Sequence, residues 1–181
     1  MSSAELVRRF IGSWVASRKL RSCDVIGRGS RVLGTPYVEN LGRIEIGMDF
    51  EIDALPVASH LVTGVKGTIR IGDRVKVAHG VAMCSHVSID IGDDTSFGPF
   101  AIVLDADFHG VRARGAPADP RPVRIGRHVH IGAGTIVLRG AVIGDDVTVA
   151  PNSVVSRWIP SGVRVAGVPA KLVRGLELVR R

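Results

Sequence analysis

A chain of 181 residues and 19.2 kDa is long enough for a single domain with a sizeable core. Hydrophobic residues make up 45% but aromatics only 4%, and 22 residues are Gly, so an aromatic-centred globular core is excluded in favour of stacked Ile and Val with tight turns. No apolar run reaches bilayer length, no signal-peptide pattern opens the chain, and Cys23 and Cys84 are too isolated for a disulfide framework, which leads to the expectation of a cytoplasmic protein.

The net charge of +7 comes mostly from Arg and is scattered along the chain. With few aromatics to stack bases, it favours solubility or a small anionic ligand over nucleic acid.

In chain order, residues 1–22 are predicted to form an amphipathic helix. Ser2 and Glu5 have capping-box spacing, and Leu6, Val7, Phe10, Ile11, Trp14 and Val15 make an apolar stripe with Arg8, Arg9, Arg18 and Lys19 off it. Packing on the rest of the protein is the preferred reading; a peripheral membrane contact is the lesser one. From Cys23 a six-residue step begins imperfectly at Ile26-Gly27, Val32 and Val38 and returns at Ile46-Gly47 and Ile52. Residues 53–68 lose phase and contain Pro56, Gly64 and Gly67, so an irregular loop is expected there.

Phase returns at Ile71 with the blocks IGDRVK, VAHGVA and MCSHVS, and after a slip of two residues with IGDDTS, FGPFAI and VLDADF. A stretch rich in Pro, Gly and Arg, 109–124, then carries no apolar phase and reads as an ejected loop, the kind of interruption that carries function. The firmest run follows: IGRHVH, IGAGTI, VLRGAV, IGDDVT, VAPNSV and VSRWIP. Every block opens on an aliphatic (Ile125, Ile131, Val137, Ile143, Val149, Val155), and the fifth place is apolar or small. Neither a helix nor an alternating strand has a period of six. A chain that turns one aliphatic inward every six residues can wind as a triangular coil of short parallel strands, whose stacked turns share one core. The predicted architecture is all-β, a parallel β-helix over 23–166, with residues 167–181 forming a short C-terminal helix that starts near Pro169 and caps the open end.

The IG-x4 blocks, the segment DADFH ending at His109, the run IGAGTIVLRGAVIGDD and the ending VAGVPAKLVRGL resemble the left-handed β-helix hexapeptide-repeat acyltransferases, in particular the sugar and galactoside O-acetyltransferases and their xenobiotic-acetyltransferase relatives. The resemblance covers residues 71–175 well and 26–53 loosely. It implies a left-handed coil, a homotrimer, acetyl-CoA bound in the cleft between neighbouring coils, a small hydroxyl acceptor such as a sugar, and no metal. It also implies His109 as the catalytic base, since acyl transfer from a thioester to a hydroxyl needs a neutral imidazole to take the alcohol's proton. Asp107 or Asp105 could orient that ring, or both could be turn residues of a coil corner.

By the same resemblance Ala133 contacts the pantetheine arm near the thioester, Pro151, Ser156 and Arg157 lie along the arm, and Lys171 and Arg174 sit near the nucleotide phosphates. Three positions depart from the family: His130 stands where many relatives have Trp, Pro151 has no N–H to offer the arm, and Val168 replaces a frequent Asn. His79 and His86 could border the acceptor, and Arg112, Arg114 and Arg121 could meet an anionic one, although solubility of an exposed loop is the preferred reading of those arginines. The competing readings are N-acetylation of an amino sugar, a zinc lyase of the γ-carbonic-anhydrase type using His79, His86 or Cys84, and a non-catalytic scaffold.

Overall fold

The computed structural model describes residues 16, 18–107 and 119–173. They wind as a left-handed parallel β-helix. Each coil contributes one short strand to each of three sheets. The first coil holds β1 (Val25–Ile26), β2 (Arg31–Gly34) and β3 (Tyr37–Asn40); the second holds β4 (Arg43–Ile46), β5 (Glu51–Ala54) and β6 (His60–Thr63). The third holds β7 (Thr68–Ile71), β8 (Lys76–Val77) and β9 (Ala82–Ser85); the fourth holds β10 (Ile89–Ile91), β11 (Ser96–Phe97) and β12 (Ile102–Leu104). The fifth holds β13 (Val123–Ile125), β14 (His130–Ile131) and β15 (Ile136–Val137); the sixth holds β16 (Val142–Ile143), β17 (Thr148–Val149) and β18 (Val154–Val155). A partial turn adds β19 (Trp158–Ile159), β20 (Arg164–Ala166) and β21 (Lys171–Leu172).

The six-residue step is the geometry of one side of this triangle. Ile125 pairs with Ile143, Ile131 with Val149 and Val137 with Val155, so three blocks return the chain to the same sheet one coil on. All six opening aliphatics from Ile125 to Val155 are buried in one continuous core. The small fifth places are buried too, and where they are Ser or Thr the hydroxyl donates to a corner carbonyl. Thr95 reaches Gly126 O (2.9 Å), Thr135 reaches Ala150 O (3.1 Å), and Ser59 reaches Ala78 O (2.9 Å). These bonds let polar residues enter an apolar core without an unsatisfied group. The Gly of the IG pair is steric: a Cβ on Gly92 would stand 2.7 Å from the carbonyl carbon of Gly126 in the next coil.

Three expectations are corrected. Residues 53–68 are not a loop throughout, because β6 completes the second coil with Leu61 fully buried, and only the flanking corners are enlarged. The ejected stretch ends earlier than 124, since Val123–Ile125 pairs in register with Ile89–Ile91. The C-terminal segment does not begin as a helix: Gly167 (φ +102) reverses the chain, and β21 lies antiparallel on β20, Val165 against Leu172. The edge of the second sheet is thus covered by a strand. Of the predicted N-terminal helix the last turn is described, with Leu20 N–H donating to Ala16 O (2.8 Å) and both residues buried. Its remainder, like residues 174–181, lies outside the described residues.

Candidate active site

Three corners join the sheets: a first between the sheet of β1 and that of β2, a second between those of β2 and β3, and a third that returns to the next coil. At the third corner the fourth coil departs after Leu104 and rejoins at Val123. The neck is closed by Arg121 N–H donating to Asp105 O (2.7 Å). Asp105 is fully buried; its carboxylate accepts from Ser85 Oγ (2.8 Å), His86 N–H (2.7 Å) and Val87 N–H (2.8 Å). Three donors on a buried carboxylate hold the preceding corner in shape, which fits the corner role of Asp105.

Asp107 is bound otherwise. Its Oδ2 accepts from Arg139 Nε (2.6 Å), and Arg139 Nη1 also donates to the carbonyl (3.1 Å) and carboxylate (3.0 Å) of Asp119. Arg139, in the corner of the fifth coil, therefore grips both feet of the excursion. Arg121, expected among the acceptor-facing arginines, is engaged with Asp119 as well (2.8 Å). The Arg121 hydrogen bond and charge, helped by Arg139, hold the Asp119 carboxyl below the usual carboxylate range. Sequence reasoning missed both: Arg139 stands inside the repeat run with nothing to distinguish it there, and Asp119 lies in no motif. His109, Arg112 and Arg114 lie outside the described residues.

The proposed cofactor contacts fall on two corners. Ala133 is at the second corner, joined to its neighbours by Gly134 N–H to Pro99 O and Asn152 N–H to Ala133 O, both 2.8 Å. Pro151 follows one coil on. The side chains there are small, and the N–H of Ala133 has no partner among the described residues, so a low groove floor presents a donor to an incoming carbonyl. Ser156 and Arg157 are instead at the third corner, between β18 and β19, with the width of the third sheet separating them from Ala133. Lys171 lies on β21 against Ala166, on the face that also carries Arg164. Both cations are exposed and have no ion pair among the described residues, an arrangement that fits a phosphate-bearing ligand. Arg164 was not foreseen, because only the reversal of β21 brings it beside Lys171. Arg174 lies outside the described residues.

The two histidines expected at an acceptor are separated. His86 is at the third corner against the foot of the excursion, while His79 is at the second, its ring edge-on to Phe100 (centroids 5.3 Å apart, 88°). Strand β9 lies between them, so within one chain they do not converge. No group of three His, Cys, Asp or Glu among the described residues is placed to hold a metal. His130 is on the outer face of β14, with Nδ1 2.9 Å from Ser96 Oγ. Phe100 has φ +60, a left-handed backbone rare for a bulky side chain.

The sequence profile of the bacterial transferase hexapeptide family (six repeats) matches residues 122–157. WbbJ of Escherichia coli K12, named for O-acetyl transfer in lipopolysaccharide biosynthesis, is 32% identical over 83% of this chain and 81% of its own length. The chain belongs to the hexapeptide-repeat acyltransferases. Nodulation protein L of Rhizobium leguminosarum, also 32% identical, aligns with 92% of this family member and 83% of itself. Among solved structures, the N-acyltransferase AntD of Bacillus cereus, bound to dTDP-4-amino-4,6-dideoxyglucose and coenzyme A, superposes with a TM-score of 0.76 at 24% identity, covering 90% of this chain and 89% of that one. At that identity the likeness supports the coil, and the acyltransferase assignment rests on the sequence relatives.

Proposed function

We propose that this protein transfers an acetyl group from acetyl-CoA to a hydroxyl of a saccharide or another small acceptor, with His109 as general base. The observation that carries this reading is the disposition of the third sheet. From β9 to β18 its outer face is apolar, with Ala82, Ile102, Leu104, Ile136 and Val154 pointing outward between buried neighbours, whereas the first sheet shows Arg43, Glu45, Arg70 and Asp90 and the second shows Arg31, Glu51 and Lys76. One edge of this face is the second corner with Ala133 and Pro151; the other is the third corner with the feet of the excursion, Ser156 and Arg157. A threefold assembly through the face would set one protomer's second corner against its neighbour's third, bringing both groups of residues to one cleft.

When bound, acetyl-CoA supplies an activated thioester. In that cleft the neutral His109 imidazole takes the acceptor hydroxyl's proton as its oxygen attacks, and returns the proton to the departing thiolate; general-base help of this kind contributes roughly 10²–10⁴-fold. Arg164 and Lys171 face the phosphates, and the Ala133 N–H faces the amide end of the arm. The Arg139 clamp on Asp107 and Asp119 fixes where the segment carrying His109 leaves and re-enters the coil. O-transfer is favoured because WbbJ, named for that reaction, aligns over most of both chains.

Free-thiol release from acetyl-CoA across sugars, amino sugars and small alcohols tests the reading. His109→Ala is expected to lower kcat by at least about 10²-fold while coenzyme A binding and assembly mass stay unchanged. Undiminished turnover would remove His109 from the chemistry, and turnover confined to amino sugars would make the protein an N-acyltransferase.

A further inference from the structure

Along the second corner the fourth place of each block is left-handed, and successive coils fill it with Gly80, Phe100, Gly134 and Asn152. Gly and Asn enter that conformation readily; Phe does not. The coil obtains no core contact in return. Phe100 remains 50% exposed. Its ring lies over Gly80, where an added Cβ would meet Phe100 Cδ1 at 2.6 Å, and stands at 88° to the ring of His79. Exposed Leu55 and Val57 continue the apolar surface at the same corner of the second coil, with Gly80 N–H donating to Val57 O (3.1 Å). Backbone strain that serves no packing purpose is retained where the displayed group has a use.

The position indicates that use. Phe100 stands one coil before Ala133, tied to it through Gly134 N–H and Pro99 O (2.8 Å). In the acyl-transfer reading above, on which this inference rests, the cofactor arm runs from Ala133 toward Pro151 and Lys171, in the direction of the C-terminal coils. The open side of the thioester therefore faces the coil that carries Phe100 and His79. We infer that Phe100 is the acceptor platform and determines specificity: its ring takes the C–H face of a pyranose, and the His79 imidazole beside it bonds a ring hydroxyl. A half-exposed aromatic with one polar neighbour suits a ring that has an apolar face and a polar rim. His79 thereby has a partner and a task at the second corner.

The test compares the full-length protein with Phe100→Asn, Phe100→Trp and His79→Ala, measuring KM for a pyranoside, for a small acyclic alcohol and for acetyl-CoA, with thermal midpoint and assembly mass. Asn is at home in the left-handed region, so Phe100→Asn is expected to keep or raise the midpoint. It should raise the pyranoside KM about tenfold, leave the acetyl-CoA and acyclic-alcohol KM values unchanged, and be rescued in Phe100→Trp. His79→Ala should raise the pyranoside KM in the same selective way. An unchanged pyranoside KM in Phe100→Asn overturns the inference, as does a rise confined to acetyl-CoA, or a fall in assembly mass that marks Phe100 as a subunit contact. Absence of thiol release by the unsubstituted protein with every acceptor would instead bring down the acyl-transfer reading, and the platform with it.

Discussion

Asp105 and Phe100 show how far one residue's chemistry depends on the coil around it. Both belong to blocks of six, and neither does what its residue type suggests in isolation. Asp105 sits four residues before His109 and could serve as a catalytic partner, yet it is buried under three donors from the preceding corner. An amide there keeps one acceptor and loses the charge, so Asp105→Asn should destabilise the protein by about 2–3 kcal/mol, read by denaturant unfolding. A change below about 0.5 kcal/mol would mean that the carboxylate does not hold the corner. The sequence does not single out Phe100, because the fourth place of a block is also aromatic at Trp158, where the backbone is not left-handed. Among the left-handed fourth places Arg74, Gly80, Asp94, Phe100, His128, Gly134, Gly140, Asp146 and Asn152, Phe100 carries the one bulky apolar side chain. The left-handed backbone costs such a residue about 1–2 kcal/mol.

The working element of this fold is a corner with its two short strands, and a corner is as demanding as a core position. Each strand is only two to four residues long, so pairing cannot hold register without the corner geometry. The stacked glycines of the IG pairs do this by letting successive backbones touch. Gly92→Ala would drive a methyl into the Gly126–Arg127 backbone, with contacts at 2.7 and 2.8 Å and no flexible side chain able to move aside. A loss of about 1–3 kcal/mol is expected, measured as a lowered denaturation midpoint with an unchanged m-value. A neutral outcome would mean that adjacent coils slide more freely than close packing allows. The second and third coils explain why the phase was hard to follow between residues 53 and 68. The corners on either side of β6 each hold extra residues, so the strand survives while the count of six does not.

Across the whole molecule, the charge is distributed by sheet. The outer faces of the first and second sheets carry ion pairs such as Arg70–Asp90 (2.9 Å) and Arg31–Glu51, whereas from β9 to β18 the third sheet is apolar outside as well as inside. Ile136→Lys on that outer face should reduce the assembly to single chains by light scattering, with the coil retained by circular dichroism and thiol release lost with the assembly. A mutant that keeps both mass and activity would remove the third sheet from any subunit contact. Ile136 is half-buried and faces outward, outside the buried core, so the result is readable without altering a core residue.

The sequence alone determined the coil. A period of six with one inward aliphatic belongs to no helix or flat strand, and that local rule is written into every block from Ile125 to Val155. The family resemblance it carries is also what suggests Ala133, Pro151 and Lys171 as cofactor contacts. Only the tertiary structure decided which residues share a corner, because the extra residues in the second, third and fourth coils rotate later positions around the triangle by amounts no periodicity records. With three blocks to a coil, His79 and His86, one block apart, fall on different corners, as do Ala133 and Arg157, four blocks apart. The excursion and its return bring Arg139 to both feet of the loop, and the coil winding sets Phe100 one coil from the proposed thioester site.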